Sequence, residues 1–241
     1  MDALHLALLG AAVLLGAATT RLTGMGFALV ATPLLVLLLG TSNGVSLLLV
    51  LGFIQAPILV YQLRRDVEVK TALLLLAAAI VGIVPGAWLV NTLPAPVLAI
   101  VVGVLILVGI TATVASEKAR VFKGTPGLLS AGFLSGFMNS IAAIGGPAVA
   151  LYALSTGWAH ASFVATIQLY FFGLSASTLV ARGLPTLEPA AWVVAIVALV
   201  AGQLLGTFLM RWVSPALGRR LVIAVAIAGG IATIIKGIAA L

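Results

Sequence analysis

The residues able to do chemistry in this chain gather in two short stretches. The first is Thr19-Thr20-Arg21-Leu22-Thr23-Gly24-Met25-Gly26; the second is Met138-Asn139-Ser140-Ile141-Ala142-Ala143-Ile144-Gly145-Gly146-Pro147. Each is a polar, glycine-containing interruption of an apolar run, residues 4–39 and 128–156. An interrupted helix exposes backbone N–H groups and the positive end of its dipole, and both favour an anion. Gly24, Gly26, Gly145 and Gly146 let the backbone approach a ligand closely, while Thr20, Thr23, Asn139 and Ser140 add neutral donors beside the interruptions. Arg21 is the only charge in either stretch. Its guanidinium suits two oxygens of one anion, and the same side chain would equally anchor the inner end of a helix. Gln55 and Gln168 stand inside apolar runs, either as helix–helix hydrogen bonds or as groups facing a path. These eleven residues are the expected set for binding a small anionic substrate.

Other chemistries lack their residues. There is no cysteine, and His5 and His160 have no metal-ligand spacing, so neither a metal nor a cofactor is expected. All five acids, Asp2, Asp66, Glu68, Glu117 and Glu188, fall at ends or between apolar runs. A membrane-embedded enzyme needs a general acid or base, or a metal, at the reacting centre; the expectation is that the chain is not an enzyme. The same absence argues against a carboxylate proton relay.

The elements that must hold these stretches follow from composition. Of 241 residues, 63% are hydrophobic and 7% charged, against about 45–50% and about 25% in soluble domains. Mean hydropathy is +1.33. A soluble enzyme, a nucleic-acid binder and a disordered tail are excluded. The net charge of +7 reports topology in such a chain rather than a nucleic-acid partner; the bilayer is the partner. Full-length apolar spans run over residues 44–63, 71–91, 95–115, 161–181, 189–210 and 216–238. Residues 4–39 as one helix would be roughly 50 Å long, too long for one crossing. Each interrupted run therefore reads as two short helices. No Lys or Arg precedes the first run, as a signal peptide would require, so that run is expected to be a retained helix.

The chain also repeats. Ala12–Gly16 matches Gly132–Gly136, Gly26 matches Gly146, and Gly82–Gly86 matches Gly202–Gly206, all at one offset of 120 residues. The expected organisation is a first membrane repeat at 1–117, a basic cytoplasmic linker at 118–124 and a second repeat at 125–241. The basic bias lies in the loop at 64–70 in the first half but near Arg211, Arg219 and Arg220 in the second. Halves of opposite orientation, each crossing five times, satisfy the positive-inside rule and leave only Arg182 and Lys236 outside. Eight segments with parallel halves are the competing arrangement. The fold class is all-α and polytopic, with eight to ten membrane segments in two homologous halves and a broken or short-helix pair at the start of each. Glycines spaced by four suit close helix packing, within one chain or between two copies in a homodimer.

A Gly-rich break near the start of each half, followed by a short apolar helix, resembles the TauE/SafE sulfite-exporter family. The resemblance rests most on Thr23-Gly24-Met25-Gly26-Phe27 through Pro33 and on Ile144-Gly145-Gly146-Pro147. It implies a secondary transporter that moves sulfite, a sulfonate or a sulfoacetate-type anion across the cytoplasmic membrane. Paired interrupted helices are where such a carrier binds its cargo. An anion-selective channel is the alternative, since channels and carriers differ in gating rather than composition. The positive-inside pattern and the lack of cysteine suit the inner membrane of a prokaryote.

Overall fold

In a bilayer an apolar stretch has no water to bond its backbone, so each stretch satisfies its N–H and C=O groups internally as a helix. A computed structural model of the chain describes residues 1–23, 26–115, 122–209, 212 and 214–241. Among them are nine α-helices and no strand: α1 (Ala3–Thr23), α2 (Gly26–Leu63), α3 (Val69–Thr92), α4 (Ala95–Ala115), α5 (Gly124–Ala142), α6 (Gly146–Thr156), α7 (His160–Arg182), α8 (Pro189–Leu209) and α9 (Pro215–Ala239). Seven of the described helices, all but α5 and α6, are long and apolar enough to cross a membrane. The fold is all-α and polytopic, and the six spans expected from the sequence each coincide with a helix or helix segment.

Two details differ from expectation. The polar stretch 19–23 is helical to Thr23, because Thr19 and Thr20 donate their hydroxyls back to the Gly16 carbonyl at 2.7 and 3.2 Å and so compete little with the helix. A further break lies within α2, where Gly40 has φ 79 and ψ 171, a conformation essentially confined to glycine. The chain folds back there so tightly that a Cβ on Gly44 would come within 2.7 Å of the Leu35 carbonyl oxygen. Residues 26–39 and 41–63 are thus separate segments. The second half has the same order: α5, a short α6 closed by Gly157 at φ 66, then a long α7.

The described chain forms two compact units. One comprises Met1–Leu51, Pro94–Leu107 and Leu184–Leu241; the other comprises Gly52–Leu93 and Val108–Gly183. Each draws on chain from both sides of residues 118–124. In the first unit α1 packs along α8; in the second α3 packs along α5. The repeated glycines sit in these two contacts. Gly202 meets Leu14 and Ala17, while Gly82 meets Phe133 and Phe137, so the contact recurs at the 120-residue offset. Without a Cβ at these points the helix backbones approach closely, and dispersion between them replaces the missing hydrophobic drive in lipid.

Contacts within each unit also give the helix directions. Gly10 faces Val194 and Gly202 faces Leu14, so α1 and α8 are parallel. Gly132 faces Leu75 and Gly86 faces Phe137, so α3 and α5 are parallel as well. In the first unit Gly103 faces Ile234 and Gly237 faces Ile100, which makes α4 and α9 antiparallel.

Candidate functional site

The second interruption is built entirely within the second unit. Helix α5 ends at Ala142, and Ala143 takes the left-handed conformation (φ 57), its N–H donating to the Asn139 carbonyl at 2.8 Å. A non-glycine residue there costs about 1–2 kcal/mol, so its surroundings must hold it. Gly145 then precedes α6, with Pro147 in the first helical turn. Every residue from Met138 to Ala150 is buried.

Helix α7 supplies the facing wall. Tyr170, Leu174, Thr178 and Arg182 recur every four residues and so share one helical face. The Tyr170 hydroxyl donates to Ser135 Oγ at 2.7 Å. Asn139 Nδ2 donates to Thr178 Oγ1 at 3.0 Å, and Thr178 in turn donates to the Leu174 carbonyl at 2.7 Å. An Arg182 guanidinium nitrogen donates to the Ser140 carbonyl at 2.6 Å. These pairings advance together along both helices, so α5 and α7 are parallel and α6 returns the chain between them. A Cβ on Gly145 would come within 2.7 Å of Ser135 Oγ and 2.9 Å of Leu174 Cδ2; only glycine lets the turn settle against this network.

The site therefore offers buried neutral hydroxyls and an amide, the N-terminus of α6 and one half-buried guanidinium. Such a set favours negative charge and has no carboxylate with which to hold a cation. Across the chain, the model of one protein family, sulfite exporter TauE/SafE, matches residues 8–233. The chain belongs to the TauE/SafE family. No curated protein and no solved structure matches it. As a TauE/SafE protein with, among the described residues, seven apolar helices long enough to cross a bilayer, it is a multi-pass membrane protein of a transporter family.

Of the expected site residues, the TauE/SafE chain brings Asn139, Ser140, Gly145 and Gly146 together at the α5–α6 turn. Gln168 lies on α7 in the same unit and is buried. Gln55 is half-buried on α2, in the part that belongs to this unit. Thr20 is buried in the first unit with its hydroxyl on the Gly16 carbonyl, and Gly26 is the buried first residue of α2. Arg21 and Thr23 fall in the last turn of α1, their side chains outside the described structure; Gly24 lies outside the described residues altogether.

Sequence reasoning missed Ser135, Thr178 and Arg182. A signal was present in the four-residue spacing of Tyr170, Thr178 and Arg182, but in a lipid-facing helix the same spacing marks ordinary packing. Arg182 falls just past the span expected at 161–181. It is the last residue of α7 and reaches back to α5, so Arg21 is not the only cation associated with an interruption.

Proposed function

We propose that this protein is a secondary transporter for a small sulfur-containing anion, of sulfite, sulfonate or sulfoacetate type, in the cytoplasmic membrane of a prokaryote. The anion binds at the two Gly-rich interruptions, with Thr20, Arg21, Thr23, Gly24 and Gly26 at the first and Asn139, Ser140, Gly145 and Gly146 at the second; Gln55 and Gln168 complete the path. The observation that carries this reading is the buried α5–α6 turn, whose donors and helix N-terminus suit an anion in a chain of this family.

The two halves of the chain, 1–117 and 125–241, are inverted repeats that exchange access to the site between the two sides of the membrane. Helix directions support the inversion. If each half makes five passes, α4 and α9 run oppositely; if each makes four, they run the same way, and the observed pair is antiparallel. The parallel α5 and α7 likewise require α6 to count as a return pass. Two cations predicted to lie outside each donate to a carbonyl near a segment's C-terminal end: Arg182 to Ser140 and Lys236 to Leu37 at 2.7 Å. Their departure from the positive-inside bias thus has a local cause.

The substrate test is thermal stabilisation of the detergent-purified protein by sulfite, sulfate, thiosulfate, sulfoacetate, taurine and simple carboxylates. A ligand that binds only the folded state raises its apparent stability. Stabilisation confined to sulfur oxyanions or sulfonates is expected; a response to carboxylates alone, or to none, removes the sulfur-anion assignment. Saturable counterflow in proteoliposomes is expected of a carrier, and its absence with rapid passive flux would show a channel. For topology, a cysteine at Arg220 is expected to react only from the cytoplasmic side and one at Asn91 only from outside, on a background with no native cysteine. Labelling of both from the same side would overturn the inverted arrangement.

A further inference from the structure

The second unit has a groove on its outer surface, between the later segment of α2 and α7. The two helices run antiparallel there. A Cβ on Gly52 would meet Ser175 Oγ, while the Glu68 N–H, beyond the end of α2, donates to Thr166 Oγ1 at 2.9 Å. Phe53 and Phe172 close one end as a stacked pair, their ring centroids 4.6 Å apart. From that stack the helices leave a groove of about 310 Å³, lined by Pro57, Val60, Tyr61 and Arg64 on one side and by Leu169 and Phe172 on the other. The volume is that of a small ligand pocket, for which about 300–1,000 Å³ is usual. Positions 57, 60, 61 and 64 share one helical face, and they extend the groove about 10 Å along the axis. Among the described residues that line it, Arg64 alone is charged, and it stands at the end away from the phenylalanine stack.

The charge of Arg64 is not matched within the chain. Its guanidinium carbon lies 4.8 Å from the centre of the Tyr61 ring, a cation–π contact that holds the group at the mouth of the groove. Glu68, four residues on, has its carboxylate bound to the Thr71 hydroxyl and the Trp158 indole instead. Among the described residues no carboxylate pairs with Arg64. An apolar groove at a bilayer-facing surface does not hold water, so hydrocarbon fills it, and the cation at its end calls for an anion. Both groups occur in one molecule, an anionic phospholipid, whose phosphate oxygens suit a guanidinium. A second copy of this chain fits less well, because it carries 12 Lys and Arg against 5 acids and like charge repels.

We infer that the α2–α7 groove binds an anionic phospholipid, with one acyl chain along Val60 and Leu169 and the phosphate held by Arg64 over Tyr61. The site is separate from the α5–α6 turn, and the inference does not depend on which cargo the protein carries. The topology proposed above puts residues 64–70 in the cytoplasm, and the cytoplasmic leaflet is the one rich in anionic lipid.

The test is native mass spectrometry of the full-length, detergent-purified protein with added phosphatidylglycerol or phosphatidylcholine of the same chains, alongside thermal melting. The wild type is compared with Arg64→Gln, Arg65→Gln and Val60→Trp. The wild type is expected to hold phosphatidylglycerol about tenfold more tightly than phosphatidylcholine and to melt higher with it; inorganic phosphate should give no shift. Arg64→Gln should remove that preference. Arg65→Gln should keep it, since Arg65 is an equally exposed neighbour that does not line the groove. Val60→Trp fills the groove and should weaken both lipids with Arg64 intact. Equal loss in Arg64→Gln and Arg65→Gln would show a diffuse basic surface and overturn the inference. Equal retention of the two lipids by the wild type, or the same stabilisation from inorganic phosphate, would overturn it too. If Val60→Trp splits a dimer and leaves lipid binding intact, the groove is an interface between copies and the inference fails. Should Val60→Trp not fold, Arg64→Gln against Arg65→Gln decides, because both side chains are exposed.

Discussion

Replacing Gly82 by alanine tests whether α3 and α5 are held by backbone contact. A Cβ at Gly82 would collide with the Phe133 carbonyl oxygen, lie 2.8 Å from its carbon and lie 3.0 Å from the Phe137 nitrogen. All three are main-chain atoms of α5, so no rotamer change relieves the clash. The helices must part by about 1 Å to restore ordinary contact. Overpacking of this kind costs about 1–3 kcal/mol, and alanine's gain over glycine within a helix returns about 0.5–1 kcal/mol. Because the clash is with backbone, the upper part of that cost applies, and the net expectation is about 1–2.5 kcal/mol of destabilisation, a fall in Tm of about 2–10 °C for a chain of this length. Gly52→Ala is the control: its Cβ would meet only Ser175 Oγ at 3.4 Å, an ordinary contact, so it should melt at or slightly above wild type. Gly136→Ala, which strikes Ala79 across the same interface, should be as harmful as Gly82→Ala. The double variant should cost less than the sum, since the first parting of the helices makes room for the second methyl. Melting of the purified variants by intrinsic fluorescence gives all four values. Equal Tm for Gly82→Ala and Gly52→Ala would refute the close-packed α3–α5 contact.

The remaining expectations concern the site and its frame. Gly86→Ala would drive its Cβ into Ser140 Oγ, so it should reduce substrate affinity as well as stability, a split that direct binding alongside melting would detect. Asn139→Ala removes the amide that donates to Thr178 while Thr178 keeps its own bond to the Leu174 carbonyl, so it should cost about 0.5–1.5 kcal/mol; melting that matches wild type would contradict the network. Gly40→Ala forces a side chain into φ 79 and ψ 171 and should cost about 1–3 kcal/mol, lowering Tm with little local crowding to blame, because nothing lies within 4 Å of that Cβ. Trp158→Phe removes the indole donor to Glu68 Oε1 at 2.8 Å. This exposed contact ties the α6–α7 turn to the loop before α3, and its loss should leave melting nearly unchanged while speeding proteolysis at Gly157, measured by limited digestion.

The amino-acid sequence by itself determined that the chain lives in a bilayer, where its spans lie and that the second polar interruption is a turn. These are properties of local composition: about 20 apolar residues must be helical in lipid, and a Gly-Gly-Pro sequence cannot continue α5 smoothly. The 120-residue repeat was legible for the same reason, since the packing glycines Gly82 and Gly202 are marked by spacing alone. Three things needed the tertiary structure. Thr20 bonds to its own helix rather than opening it, a choice between two local hydrogen bonds that composition leaves balanced. The two halves interleave, α8 against α1 and α5 against α3, because glycine faces specify that a close partner exists without specifying which helix it is. Arg182 reaches Ser140 across 42 residues of chain, and only the parallel course of α5 and α7 brings a residue at the end of one helix onto the broken end of the other.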